Sequence, residues 1–190
     1  MKAVIFLVFI CSISSAYCQE SFITWNDKKP LQWLDFSGPV KDSSTFDAES
    51  FAEVKFTYTF NNLSDFKFEV NATFNKNTSW YKKEMQSLSL LKHEQLHFDI
   101  AELFAKKLKD EFDNYVYTAN FRSEIAAIFE KKKVQYHLMQ DKYDEETSHS
   151  LNAEKQRQWE FAIRDELRKM QLIEDSNSSE QMLVTNDKAD

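Results

Sequence analysis

Leu90-Leu91-Lys92-His93-Glu94-Gln95-Leu96-His97-Phe98-Asp99-Ile100-Ala101-Glu102 is the stretch on which the reading of this chain turns. Apolar residues recur in it at intervals of three and four, the spacing of a helix with one buried face. Within it His93-Glu94-Gln95-Leu96-His97 has the form HExxH. Residues four apart lie one above the other on a helix, so both imidazoles reach a single cation. Glu94 is turned about 100° from His93. That places its carboxylate beside the ion, where it can take a proton from water.

With His93 at zero on a helical projection, His97 falls at about 40°, on the side of Leu90, Ile100, Ala101, Phe104 and Leu108. Lys92, Gln95, Asp99, Glu102 and Lys106 gather opposite and are expected to face water. Two imidazoles on an apolar face need polar partners, and a shared cation supplies them. Asp99 and Glu102 are therefore read as surface or outer-sphere groups, with Glu102 and Lys106 as an i,i+4 pair.

A catalytic zinc takes three protein ligands and leaves a position open. The extended motif with a third histidine six residues after the second fails here, because that residue is Leu103. His149 is the first choice for the third ligand, since it follows the expected end of the second helix, where the chain can fold back over the first. Glu146 and Asp144 in the same segment come next, and His137 after them.

Upstream, Val54, Phe56, Tyr58 and Phe60 alternate with polar residues, and Phe66, Phe68 and Val70 repeat the alternation beyond a turn at Asn61–Asp65. This is the pattern of an antiparallel hairpin with one buried face. A short further strand is expected through Ala72–Phe74. From Ser79, read as an N-cap, the period becomes helical to about Phe112. A second helix is expected over Ser123–Tyr143, with Ile125, Ile128, Phe129, Tyr136, Met139 and Tyr143 on its apolar stripe. A third is expected over Asn152–Ile173, with Trp159, Ile163, Leu167 and Met170 on one face. Strands followed by helices make an α+β domain: an N-terminal hairpin or small sheet, then three main helices, the first a zincin-like active-site helix.

The 190 residues suit one domain, and 42 % apolar content with 17 phenylalanines is enough for a sizeable core. One glycine and two prolines exclude a Gly-rich phosphate-binding loop or a disordered linker. A net charge of −7 argues against nucleic acid as a partner, and Glu130-Lys131-Lys132-Lys133 reads as a solvated helix face. Met1-Lys2, the apolar run Ala3–Ile13 and the small residues Ser14, Ser15 and Ala16 have the layout of a secretory signal peptide over 1–19. The apolar run is too short for a transmembrane anchor. The domain then spans 20–173, with a flexible polar tail over 174–190. Both cysteines, Cys11 and Cys18, fall in the signal segment, so the mature domain is expected to rely on its core or a metal rather than a disulfide. The location expected is secreted, periplasmic or envelope.

Three segments resemble the DUF922 family, secreted proteins predicted to be zinc-dependent proteases. Lys29-Pro30-Leu31-Gln32-Trp33-Leu34-Asp35-Phe36-Ser37-Gly38 resembles its early Trp-containing segment, and Leu91–Glu102 its central helix almost residue for residue. Tyr143-Asp144-Glu145-Glu146-Thr147-Ser148-His149 resembles its late segment, and Gln156 with Trp159 falls where a Gln–Trp pair is usual. One departure stands out: this chain has Ser150 where the family is expected to have glycine after the late histidine.

The expected activity is zinc-dependent hydrolysis of a peptide or protein substrate, with His93, His97 and His149 as ligands and Glu94 as general base. Tyr143 is considered by position as an oxyanion donor, and the Val54–Phe60 strand as an edge for an extended substrate. The alternative is a non-catalytic zinc-stabilised envelope binding protein using the same ligands. A metal-free adhesion or assembly factor is the third reading.

Overall fold

The computed structural model describes residues 21–186. Residues 1–20, which take in the segment expected to be a signal peptide, and residues 187–190 lie outside the described residues. The elements are β1 (Phe22–Thr24), β2 (Ala48–Glu49), β3 (Ala52–Asn62), β4 (Asp65–Asn75), β5 (Trp80–Tyr81), α1 (Leu88–Asn114), α2 (Phe121–Thr147) and α3 (Ala153–Asn186). The fold is α+β, with small antiparallel sheets on the N-terminal side followed by the three helices.

The hairpin forms as its alternation requires. β3 and β4 pair with Phe56 opposite Val70, Tyr58 opposite Phe68 and Phe60 opposite Phe66, so the aromatic residues of both strands share one face. Val54, Phe56, Tyr58 and Phe66 pack with Phe68, Leu108, Phe112 and Tyr117 in one of two apolar clusters. Phe68 stacks on Phe112 with ring centroids 4.5 Å apart. The expected separate strand at Ala72–Phe74 is the continuation of β4, and β1 adds to its far side to give the order β1-β4-β3.

The first helix begins at Leu88 rather than after Ser79, with Ser87 as the N-cap whose Oγ accepts from Leu90 N at 3.1 Å. Ser79 is wholly buried in a turn, its hydroxyl donating to Asn75 O and accepting from Phe51 N. Trp80 and Tyr81 pair with Glu49 and Ala48, and the Trp80 indole N–H donates to Glu49 Oε2. Burial of Trp80 outweighs the helical propensity of its neighbours. α2 and α3 are also longer than the sequence pattern indicates, reaching Thr147 and Asn186.

α1 runs through the centre, packed against β4 and β3 of the sheet and against α2 and α3. The stripe expected to face water is consequently half covered: Gln95, Asp99, Glu102 and Lys106 are only partly exposed. The Trp25 indole N–H and Gln95 Nε2 both donate to Asp99 Oδ1 at 2.8 Å, and Leu31 N donates to Gln95 Oε1 at 2.7 Å. Lys106 pairs with Glu174 of α3 at 2.6 Å. Burial pushes the Asp99 carboxyl up, and that of Glu102 to about 7. A projection of one helix cannot show that the segment Trp25–Leu31 lies over its polar side.

Gly38 lets two backbones touch. Its N–H donates to Ser79 O at 2.8 Å, and a Cβ there would sit 2.8 Å from Ser79 O and from Thr78 C. Because those atoms are main chain, they cannot step aside as a side chain could. Gly38→Ala is expected to destabilise the fold by about 1–3 kcal/mol, the usual penalty for forced overpacking, read as a lower urea midpoint at unchanged m-value. Ser79 in turn holds Phe51, next to the Ser50 that faces the site described below.

Candidate metal centre

His93 and His97 lie one turn apart on α1, and α2 crosses over them so that Asp144 meets both. The His93 and His97 Nε2 atoms are 3.2 Å apart, and Asp144 Oδ1 is 3.1 Å from the first and 3.0 Å from the second. Three donors around a tetrahedral zinc, at about 2.0–2.1 Å from it, stand about 3.3 Å from one another. The spacing of the triangle thus fits a metal ion. Among the described residues, His93, His97 and Asp144 form the one group of three or more His, Cys, Asp or Glu side chains with this capacity.

The outer nitrogens settle the tautomers. His93 Nδ1 lies 3.3 Å from Gln156 Oε1, and His97 Nδ1 lies 2.5 Å from Gln140 Oε1. An amide oxygen only accepts, so each Nδ1 carries a proton, and each Nε2 is the atom left to bind a metal ion held between the imidazoles and Asp144. Two imidazole nitrogens and a carboxylate converging on one point call for positive charge between them, supplied by a metal ion or by protons. Gln140 is fixed by donating from Nε2 to His97 O at 3.0 Å, and Gln156 by donating to Glu160 Oε1 at 3.1 Å. With protons alone to share, burial disfavours a charged His97, but the Asp144 hydrogen bond and the nearby Glu94 and Asp144 charges outweigh it and raise its pKa to about 8. Burial would raise Asp144, yet the hydrogen bonds from His93 and His97 prevail and hold its carboxyl well below the ordinary range.

Glu94 is buried, 3 % exposed, and its Oε2 accepts from Ser50 Oγ at 2.6 Å. It borders a cleft of about 560 Å³ that His93, His97, Asp144 and His149 also line. The opposite wall is the segment Thr45–Ala52. The site therefore lies between α1, α2 and the strand region around β2.

The donor that meets both imidazoles is Asp144, which the sequence offers as an alternative to His149. His149 is its neighbour: Nδ1 lies 3.5 Å from Asp144 Oδ1, the side chain is 49 % exposed, and the ring packs on Phe46 at 4.7 Å. His149 stands outside the group of three. It is carried on Ser148, His149 and Ser150, whose φ angles are 48°, 49° and 76°. That left-handed region costs L-residues about 1–2 kcal/mol each. Ser150 thus adopts the conformation that the expected glycine would take without strain. Glu146 accepts from the Trp159 indole at 3.0 Å and pairs with Lys142 and Lys155. His137 is exposed at the cleft rim.

Tyr143 does not serve as an oxyanion donor. It is wholly buried, stacked on the His93 ring at 4.6 Å, and its hydroxyl donates to Gln156 Oε1 at 2.7 Å. Gln140 and Ser50 have no role in the sequence reading, and Gln156 enters it only through the family's Gln–Trp pair. Gln140 stands one turn before Asp144 on α2, and that i,i+4 spacing is the sequence signal that points to it.

Gln140→Ala and Gln156→Ala are each expected to weaken metal binding about 10–100-fold, as loss of an outer-sphere partner does. Chelator competition reads both, and unchanged affinity in the alanine variants would show that the amides only pack.

Fold and site together define a class: an α+β domain whose central helix carries two histidines in i,i+4 register, met by an aspartate from the next helix in a donor set able to hold a metal ion. The chain belongs to the DUF922 family, described as "Bacterial protein of unknown function", which matches residues 32–150. The match takes in His93, Glu94, His97, Asp144 and His149 and ends before Gln156. No curated protein and no solved structure matches the chain. No helix among the described residues is long and apolar enough to cross a membrane.

Proposed function

We propose that this protein is an exported zinc-dependent hydrolase acting on peptide bonds. The observation that carries the reading is the triangle of His93 Nε2, His97 Nε2 and Asp144 Oδ1, with the Glu94 carboxylate on the next position of the same helix and facing the same cleft. His93, His97 and Asp144 would hold the ion. A bound Zn²⁺ supplies Lewis acidity toward a carbonyl oxygen and toward water.

The chain's own residues do the rest. Glu94 accepts the proton of the attacking water and passes it to the leaving amine. Ser50 orients that carboxylate through its 2.6 Å hydrogen bond, leaving the other oxygen for the proton. Burial of Glu94 keeps bulk water from competing for the base. Gln140 and Gln156 hold the imidazoles in the tautomer that exposes Nε2. His149 stands at the mouth of the cleft. As the ligand the sequence ranks first it would add a fourth donor and close the site; as a non-ligand it donates a hydrogen bond to the oxygen on which negative charge grows. Its half-exposed ring, stacked on Phe46, favours the second role.

Export rests on the signal-like segment 1–19. The test is cleavage of a peptide library by metal-loaded protein, read by mass spectrometry, with chelated protein as control. Absence of any metal-dependent cleavage would overturn the peptidase reading and favour a zinc-stabilised binding protein.

A further inference from the structure

A second cavity, of about 290 Å³, opens beside the metal cleft. Ala52 and Val54 of β3 form one wall and Phe129 of α2 the other, with Phe104 and Leu108 of α1 as the floor. Ala52, Tyr136 and His137 line both this cavity and the metal cleft, so the two spaces adjoin. Tyr136 is the partition, held in place by its hydroxyl donating to Ala52 O at 2.8 Å.

The chemistry of the cavity is unlike that of the cleft. Its depth is aliphatic and aromatic, and its charged groups belong to its rim, where Glu53 pairs with Lys55 and Lys132 with Glu111. A third feature points to an extended ligand. β3 is the last strand of the order β1-β4-β3, and no strand among the described residues pairs with its outer side. An edge strand offers main-chain donors and acceptors to a polypeptide laid along it, while a pocket beside it reads one side chain.

We propose that this cavity is a specificity subsite that takes one aliphatic or aromatic side chain of a polypeptide lying across the metal cleft and along the edge of β3. The inference rests on the peptide reading above and adds the class of substrate: polypeptides with a Leu-, Met- or Phe-like residue near the scissile bond. Apolar pockets with few polar groups, next to a site where polar groups converge, are the usual form of such recognition.

The experiment measures binding rather than turnover. Triglycine hydroxamate, whose hydroxamate group chelates zinc, and its three single-leucine versions are titrated into the zinc-loaded protein. One leucine version should bind about tenfold or more tightly than the all-glycine compound, as expected for an apolar side chain gaining a matched pocket. Val54→Phe, which fills the cavity, should abolish that preference, so that the leucine and all-glycine compounds bind alike. Phe129→Ala, which enlarges it, should move the preference toward a tryptophan version, and supplies the answer if Val54→Phe does not fold. Equal affinities throughout the series, or a leucine preference that neither folded variant moves, would overturn the subsite and leave the metal site standing. If no hydroxamate binds the zinc-loaded protein, the metal-site reading fails and the subsite with it. Hydroxamate binding with the predicted preference but no peptide cleavage would support the subsite while counting against the peptidase activity.

Discussion

Asp144→Ala is expected to lose tight zinc binding, by more than the roughly 10–100-fold that removal of an outer-sphere partner costs, whereas His149→Ala keeps its metal. Asp144 Oδ1 is 3.1 and 3.0 Å from the two imidazole Nε2 atoms, while His149 stands outside that group of three. His93→Ala should behave like Asp144→Ala, because it removes another corner of the same triangle. Zinc content after purification and chelator competition distinguish the cases. A protein that keeps full affinity without Asp144 and loses it without His149 would restore the ligand the sequence ranks first. It would also mean that the α2–α3 junction rearranges when the ion binds. A chain with no affinity for zinc in its native form would remove the basis of the proposed activity altogether.

Glu94→Gln should lower turnover by about 10²–10⁴-fold, the usual contribution of a positioned general base, without releasing the metal. The substitution preserves shape and keeps an oxygen able to accept the Ser50 hydroxyl, so the buried side chain remains satisfied. What disappears is the capacity to take a proton. The expected signature is therefore unchanged zinc content and thermal stability with collapsed cleavage. Undiminished cleavage would exclude Glu94 as the base, and loss of metal alongside activity would assign it to the metal's own coordination. If the metal is structural, the same variant leaves every property of the loaded protein as it was.

Local pattern carried much of this structure. The β3–β4 register follows from alternation at Val54–Phe60 and Phe66–Val70, because a period of two leaves one way to bury those aromatic rings. The apolar stripes of α2 and α3 were equally readable, since Ile125, Ile128, Tyr136 and Tyr143 are buried and Trp159, Ile163, Leu167 and Met170 pack against the core. The errors fall where a distant segment intervenes. Ser79 looks like an N-cap until Trp80 is seen paired with Glu49 of β2. Asp99 looks like a surface residue until Trp25, far away in the chain, is seen donating to it.

By itself the sequence determined the α+β order of elements, the pairing of His93 with His97 on one helix face and the place of Glu94 beside them. All of these follow from periodicities of two and 3.6 residues within a single strand or helix. Only the tertiary structure decided that Asp144, 51 positions after His93, supplies the third donor. It also decided that Gln140 and Gln156 hold the outer nitrogens, that Ser50 holds Glu94, and that Tyr143 is spent inside the core. The physical reason is that acidic and amide side chains near a helix end are chemically competent in several positions at once. Which of them meets the imidazoles depends on how α2 crosses α1, and that is set by the shared packing of Tyr136, Tyr143 and Ile163 against α1 rather than by any local pattern.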